Sequence, residues 1–206
     1  MIAFLSTGIL LGLAAGVAPG PLLALVISET LRHGMRSGIK VTLAPIITDA
    51  PVIIFTLLLS ASLSEFNVIL GGISFAGGAF ILYLGIDSIR PKGTAFEIDA
   101  ASSKSFQKGI LTNALSPHPY LFWFTVGAPI MTKAMRQNAA CVISFIVGFY
   151  VLLVGSKIML AVMAGKSRSF MTGRVYLFIM RALGIILCIF GGLLFRDGVL
   201  LMGWLE

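Results

Sequence analysis

The chain has few charged residues. Asp, Glu, Lys and Arg make up 11% of its 206 residues, whereas soluble domains carry about 25%. The charges that do occur fall almost entirely in short segments between long apolar runs. These features exclude an ordinary soluble domain and indicate a protein that resides in a lipid bilayer.

Cysteine and histidine are also scarce, with two of each. Cys141 and Cys188 lie inside apolar runs, which indicates neither a disulfide framework nor metal-binding spacing. Neither His33 nor His118 belongs to a nucleophile motif, and the phosphate-binding Gly-x4-Gly-Lys-Ser/Thr loop of ATP-driven pumps is missing from the sequence. We therefore expect no enzyme, no cofactor and no metal site, and we interpret His33 as a solvated loop residue.

Six apolar runs are long enough to cross a bilayer, which takes about 20 residues of helix. They cover residues 2–28, 39–63, 68–89, 109–131, 139–163 and 175–194. The links between them are short, so we expect a single all-α transmembrane domain over residues 1–206. No basic residue precedes Arg32 and no cleavage site follows the first run, so we interpret that run as a retained helix and not as a signal peptide.

The basic residues are distributed unevenly between the two sides of the predicted bundle. Ten follow the first, third and fifth runs: Arg32, Arg36, Lys40, Arg90, Lys92, Lys104, Lys108, Lys166, Arg168 and Arg174. Three lie on the other side: Lys133, Arg136 and Arg196. Because basic loops stay in the cytoplasm, this bias predicts a cell-membrane protein with both termini outside the cytoplasm. It also accounts for the net charge of +7 without a nucleic-acid partner.

Two similar halves follow one another in the sequence. Residues 8–10 and 109–111 both read Gly-Ile-Leu, and a Pro-x-Pro follows each of them, at residues 19–21 and 117–119. Three spans per half would orient the halves oppositely, as in the inverted repeats of many transporters. The predicted units are repeat one at 1–90, a cytoplasmic loop at 91–108 and repeat two at 109–206.

Glycines recur at helical spacing in several runs. The sets are Gly71, Gly78 and Gly85 in the third run, Gly184, Gly191 and Gly198 in the sixth, Gly148 and Gly155 in the fifth, and Gly8, Gly12, Gly16 and Gly20 in the first. Such seams allow helices to approach closely in lipid, and they would also allow a homodimer. Glycine is common in membrane helices, which explains the number of glycines but explains the matched spacing of the third and sixth runs less well.

The Pro-x-Pro sequences predict breaks in the first and fourth helices, because each proline removes a backbone donor and clashes with the preceding turn. In lipid, a broken helix is tolerated where it faces protein or a water-filled cavity. Two breaks in corresponding positions indicate a substrate site near the midplane, formed by Pro19, Gly20 and Pro21 together with Ser116, Pro117 and His118. The alternative is that the prolines only bend the helices to fit the bundle.

Asp49 is the strongest single candidate for a functional residue. It lies about ten residues into the second run with apolar sequence on both sides, where a carboxylate must pair, face water or take up a proton. The alternative is a structural aspartate whose carboxylate is hydrogen-bonded by hydroxyl groups or by backbone groups that the neighbouring prolines leave open.

The other polar residues in or near the apolar runs have less specific interpretations. Lys157 either extends to the interface or pairs with Asp49, and we interpret Asp87, beside Arg90, as interfacial. Asn113, one turn before the second break, would bond a ligand or another helix.

The order of these motifs resembles the LysE/RhtB amino-acid exporter family over nearly the whole chain. The resemblance rests on the first-run break at 19–21, the segment Arg-His-Gly-Met-Arg-Ser-Gly at 32–38, the aspartate of the second run, Tyr-Leu-Gly at 83–85, and Phe-Gln-Lys-Gly-Ile-Leu-Thr-Asn at 106–113. It implies an exporter of amino acids or related small metabolites that is driven by the proton motive force. It also implies functional roles for Pro19, Gly20, Pro21, Asp49 and Asn113.

Two departures from the family pattern indicate a divergent subgroup. Ser116-Pro117-His118 replaces the usual Asn-Pro-Lys, and Thr48 replaces the usual glycine before the aspartate. A titratable histidine in place of a permanent cation would change the charge that the site accepts. A metal-cation exporter of the wider superfamily and a non-transporting membrane scaffold remain as alternatives.

Overall fold

The computed structural model describes residues 1–58, 67–89, 104–167 and 173–203, and the regular elements in these ranges are all helical. They are α1 (Ile2–Val17), α2 (Pro21–His33), α3 (Met35–Thr42), α4 (Ala44–Leu58), α5 (Asn67–Ile89), α6 (Ser105–Ala114), α7 (Pro117–Phe122), a π-helical turn (Trp123–Gly127), α8 (Ala128–Met135), α9 (Ala139–Ser167) and α10 (Gly173–Leu201). The all-α prediction is confirmed over these ranges.

Four helical segments are long and apolar enough to cross a membrane: Met35–Ile54, Val68–Ile89, Ala139–Ser167 and Leu177–Leu201. The pair α1 and α2, bent by 62° at a short break, makes a fifth if it is counted as one span. The protein is therefore a multi-pass membrane protein, but the described residues give four or five spans and not the predicted six.

The predicted fourth span is divided into short pieces. α6, α7, the π-helical turn and α8 follow one another with no piece longer than 10 residues. Pro117 occupies the first turn of α7 and Pro129 the first turn of α8. Because Pro129 cannot donate to the preceding turn, the chain there adopts the wider π geometry. The sequence prediction took account of the first break and missed the second irregularity.

The first break lies between α1 and α2. Ala18 leaves the helix with φ −56° and ψ 129°, Gly20 is extended with φ −172° and ψ 174°, and Pro21 begins α2. In the other half the break precedes the Pro-x-Pro, because Pro117 already opens α7. Both predicted breaks are present, but they are offset by two residues relative to the matching prolines.

The glycine seams of α5 and α10 face each other. The pairs run in antiparallel order: Gly71 with Gly198, Gly78 with Gly191, and Gly85 with Gly184. A Cβ atom on Gly78 would lie 3.0 Å from the carbonyl oxygen of Gly191, so the two backbones are nearly in contact. Since these seams pack within one chain, they give no support to the predicted homodimer.

The glycines of α1 pack against α9. A Cβ atom on Gly8 or Gly12 would collide with the backbone at Phe145 or Phe149, and one on Gly16 would collide with the Ser156 hydroxyl. Two glycines of the predicted seams do not take part. Gly20 and Gly155 have no neighbouring atom within 4 Å of an added Cβ, so the prediction holds for α1 itself but not for these two positions.

Candidate functional site

A cavity of about 220 Å³ lies where the two helix breaks come together. Seven of the eight predicted site residues line it: Pro19, Gly20, Pro21, Asp49, Asn113, Ser116 and His118. Pro117 is buried at the start of α7 and does not line it. Thus α2, α4, α6 and α7 bring residues that are up to 99 positions apart, from Pro19 to His118, to one place.

The N-terminus of α2 borders this cavity. No side chain caps it, and Pro21 at its first position has no N–H to donate. The amides of Leu22 and Leu23 have no acceptor within the helix, because the first N–H groups of any α-helix lack one. Both residues line the cavity, so the positive end of the helix dipole lies beside it.

The carbonyl groups that the breaks release have side-chain donors. The Lys157 ammonium donates to the carbonyl oxygens of Ala15 and Gly16, both at 2.9 Å. At the second break the Tyr120 hydroxyl donates to the carbonyl oxygen of Ala114 at 2.8 Å. Broken helices are tolerated in a membrane when such groups are satisfied by protein, and here each break has its own donor.

Asp49 is 4% exposed and lies in α4 on the cavity wall. Its Oδ1 accepts from Asn113 Nδ2 at 2.8 Å, and its Oδ2 accepts from Trp123 Nε1 and from the Tyr150 hydroxyl, both at 3.3 Å. Thr48 Oγ1 is 3.4 Å from Oδ1 and in turn accepts from Asn113 at 2.7 Å. All of these donors are neutral, and within the described ranges no Lys, Arg or His nitrogen lies within 4 Å of the carboxylate.

Trp123 and Tyr150 were not predicted as part of the site. Trp123 is fully buried in the π-helical turn, where its ring packs edge-on against Phe149 at 5.2 Å and stacks on Tyr150 at 6.2 Å between ring centroids. A sequence signal did exist, because a buried tryptophan needs an acceptor for its N–H. Asp49 is one of few acidic groups within the apolar runs, and the pairing could have been proposed.

Thr112 is a third residue of the site that sequence reasoning missed. It lines the cavity, is 1% exposed, and its Oγ1 atom has no hydrogen-bond partner in the part of the chain that the structure describes. Threonine hydroxyls in helices usually bond to the preceding turn, as Thr48 does to Ala44 in α4 at 3.0 Å. The hydroxyl of Thr112 is therefore a buried polar group without a partner, in a residue that borders the cavity.

Lys157 does not behave as either sequence interpretation expected. Its side chain is buried, with 4% exposure, so it does not extend to the interface. It lines the same cavity as Asp49 but is not within ion-pair distance of it. Its position is determined by the C-terminal carbonyls of α1, where the negative end of the helix dipole favours a cation.

Glu29 forms a second buried polar cluster that was not predicted. It is 2% exposed, and its carboxylate accepts from Lys108 Nζ at 2.7 Å and from Ser105 Oγ at 2.5 Å. His33 Nε2 lies 3.9 Å from it. Because Glu29 is in α2 while Ser105 and Lys108 are in α6, the cluster joins predicted repeat one to a helix that begins in the predicted loop and continues into repeat two. His33, which we interpreted as a loop residue, is the last residue of α2.

A further ion pair lies near this cluster. Arg32 contacts the Asp87 carboxylate and also donates to the Asp87 carbonyl oxygen at 2.7 Å, which joins α2 to α5. The predicted interfacial neighbour of Asp87, Arg90, lies outside the described residues. Asp87 therefore has a specific partner on another helix, which its position in the sequence did not indicate.

The metal-site alternative has no cluster to support it. In the ranges that are described, three or more His, Cys, Asp or Glu side chains do not come together anywhere. His118 lines the cavity on α7 and is exposed. The polar groups around the cavity are instead one carboxylate, one ammonium, one imidazole, one amide and two hydroxyls: Asp49, Lys157, His118, Asn113, Thr112 and Ser116.

A family model described as LysE type translocator matches residues 13–198, which is about nine-tenths of the chain. No curated protein and no solved structure matched the chain in the corresponding comparisons. The matched region includes both helix breaks, Asp49 and all the other polar residues of the cavity.

Proposed function

Because the chain belongs to the LysE type translocator family, we propose that it is a secondary transporter that exports amino acids or related small metabolites across the cell membrane. The substrate binds in the cavity between the two helix breaks. A volume of about 220 Å³ is below the roughly 300–1,000 Å³ typical of pockets for drug-sized ligands, and it suits a small metabolite.

The observation that carries this proposal is the environment of Asp49. A carboxylate that is 4% exposed and held only by neutral donors keeps a negative charge without a permanent counter-ion. Such a group is suited to bind a partner reversibly, either a proton or the ammonium group of a substrate. In this role Asp49 couples export to the proton gradient or binds the substrate directly.

Backbone groups at the break supply the complementary half of the site. The free amides of Leu22 and Leu23 at the uncapped N-terminus of α2 are suited to an anion such as a carboxylate. Half-helix ends are used in this way at the binding sites of other transporters with discontinuous helices. An amino acid thus finds a donor set for its carboxylate and an acceptor for its ammonium.

Transport requires the cavity to open alternately to each side of the membrane. Glu29 with Lys108 and Ser105 joins α2 to α6 on the side where basic loops predict the cytoplasm. Rocking of one half against the other, with α2 in the first half and α6 in the second, would break these contacts and open the cavity to that side. They then form again when the cavity opens outward.

The test is efflux from cells loaded with a mixture of amino acids, with the medium analysed by mass spectrometry at several external pH values. We expect one or a few amino acids to leave faster with the wild type. Asp49→Asn should lower that rate by roughly tenfold or more, the value of one charge-assisted contact. Asp197→Asn, the same change in α10 outside the cavity, should leave it unchanged.

Each result has a defined meaning. If Asp49→Asn exports at the wild-type rate and with the same pH dependence, Asp49 is not the proton carrier. If no amino acid leaves faster while metal tolerance rises, the protein is a cation exporter. If neither amino-acid efflux nor metal tolerance changes, and Pro19→Ala and Pro117→Ala also leave both unchanged, the protein is not a transporter.

A further inference from the structure

The cavity wall carries two charged side chains of opposite sign. Asp49 comes from α4 and Lys157 from α9, and both are 4% exposed. They do not form an ion pair with each other, because no nitrogen–oxygen distance between them is within 4 Å. Neither charge therefore has the other as an ion-pair partner, and both border the cavity.

The Lys157 ammonium has one N–H donor without a hydrogen-bond acceptor among the described residues. A lysine ammonium has three donors, and the carbonyl oxygens of Ala15 and Gly16 occupy two of them. Both of these partners are neutral, and within the described ranges no carboxylate lies within 4 Å of the ammonium. A buried cation in this position is stabilised by any anion that enters the cavity.

The Thr112 hydroxyl provides a second, independent indication of a ligand. It is 1% exposed, lines the cavity and has no hydrogen-bond partner in the described ranges. Buried polar groups in native proteins are hydrogen-bonded in the great majority of cases, and the exceptions need an explanation. Rotation of the Thr112 side chain toward the cavity would let a polar group of the substrate satisfy this one.

The remainder of the cavity is mostly apolar. Thirteen of the nineteen lining residues carry no polar side-chain group beyond the indole N–H of Trp123, and that N–H is bonded to Asp49. Phe122, Phe149 and Leu153 are among them. A charged side chain on the substrate would lie against this surface without a partner, at the cost of its hydration.

We propose, building on the proposed function, that the substrate is a neutral amino acid with a small apolar side chain and that Lys157 determines this specificity. The Lys157 ammonium binds the substrate carboxylate together with the amides of Leu22 and Leu23, and Asp49 faces the substrate ammonium. The Thr112 hydroxyl donates or accepts one further hydrogen bond. One positive and one negative group on the wall match a zwitterion, whereas lysine or glutamate would each bring an uncompensated charge.

Binding to the purified full-length protein in detergent tests this assignment. The probes are L-valine, L-lysine, L-glutamate and isobutylamine, which is valine without its carboxylate, and calorimetry measures affinity. We expect valine to bind roughly tenfold or more tightly than the other three, since one charge-assisted hydrogen bond is at stake. Lys157→Met should weaken valine binding several-fold and leave isobutylamine binding unchanged, because the amides of Leu22 and Leu23 still contact the carboxylate. Lys157→Arg should keep the preference for valine.

Lys157 also holds the end of α1, so Lys157→Met could prevent folding. Thr112→Val keeps the shape of the side chain and removes a hydroxyl that bonds to nothing in the described protein. It should weaken valine binding several-fold without changing the thermal stability of the ligand-free protein, and Thr112→Ser should restore binding. A Thr112→Val protein that binds valine like the wild type would overturn the role of this hydroxyl.

The outcomes separate this inference from the function on which it rests. If the wild type binds none of the amino acids, the proposed function fails and the specificity assignment fails with it. If the wild type binds lysine or glutamate as tightly as valine, only the assignment fails. The same follows if Lys157→Met weakens valine and isobutylamine binding equally, because that result indicates a structural role.

Discussion

Among the residues that the structure describes, three charged side chains are almost completely buried, and each is stabilised differently. Glu29 has a cation, Lys108, at 2.7 Å. Asp49 has only neutral donors, and Lys157 has only backbone carbonyls. Because a buried charge is costly unless it is paired, only the first arrangement is that of a conventional ion pair. The other two leave charges that a ligand can compensate, which is why they belong to the cavity.

The Glu29–Lys108 pair predicts a stability effect. Lys108→Met removes the cation and leaves the carboxylate buried, which should destabilise the protein by about 3–5 kcal/mol. The double variant Glu29→Gln with Lys108→Met should recover most of this loss, because no buried charge is left unpaired. Thermal unfolding of the purified protein, followed by tryptophan fluorescence, measures both.

Lys133→Met is the matched control, since Lys133 is exposed on α8, and it should leave the unfolding temperature unchanged. If the single and double Lys108 variants unfold at the same temperature, the pair contributes nothing to stability. The contact between α2 and α6 would then have to rest on its apolar packing.

Sequence reasoning identified Asp49 because the residues on both sides of it are apolar, so that its burial followed from the pattern. Glu29 was missed for the opposite reason. It stands at the end of an apolar run, three residues before Arg32, where a charged residue is expected at the interface. Its burial depends on α6, whose first turn brings Ser105 and Lys108 against it. A partner 76 or 79 positions away is not visible in local sequence.

At the scale of the helices, the prolines predicted where the chain would break, and the glycine spacing predicted which helix faces would be smooth. The spacing could not predict which smooth faces would meet. Seven-residue repeats occur in α5 and α10, and four-residue repeats occur in α1, so several pairings were equally possible. The observed pairing of α5 with α10 depends on all the helices packing together, which no single run encodes.

The seam between α5 and α10 predicts a difference between two glycines of the same helix. A Cβ atom at Gly85 would lie 2.8 Å from the carbonyl oxygen of Gly184 and 2.6 Å from the sulfur of Cys188, whereas nothing lies within 4 Å at Gly72. Gly85→Ala should therefore force the helices apart and destabilise the protein by about 1–3 kcal/mol, as overpacking does. Gly72→Ala should be neutral or stabilising by up to about 1 kcal/mol, because alanine favours the helix.

Thermal unfolding in detergent measures both glycine variants, and their difference is the quantity of interest, because the chemical change is identical. Equal unfolding temperatures would show that α5 and α10 do not touch along this seam. Gly192→Ala, at another open position on α10, gives a second control on the partner helix.

For the molecule as a whole, the described residues establish a multi-pass helical bundle in which α1 packs on α9 and α5 on α10. The orientation of that bundle in the membrane is a separate question, because contacts within a protein are the same whichever way it is inserted. The uneven distribution of basic residues, ten against three, is the physical basis for a prediction. The orientation also decides which side the Glu29 cluster faces, and hence the side to which the cavity opens when that cluster breaks.

Two exposed arginines provide a matched test of the orientation. Arg36 lies in α3 and Arg136 follows α8, and each is replaced by cysteine in a chain whose native Cys141 and Cys188 are serine. We expect Arg136→Cys to react with a membrane-impermeant maleimide on intact cells, and Arg36→Cys to react only after the membrane is opened. The reverse pattern would place the Glu29 cluster on the outer face. Breaking that cluster would then open the cavity to the outside instead of to the cytoplasm.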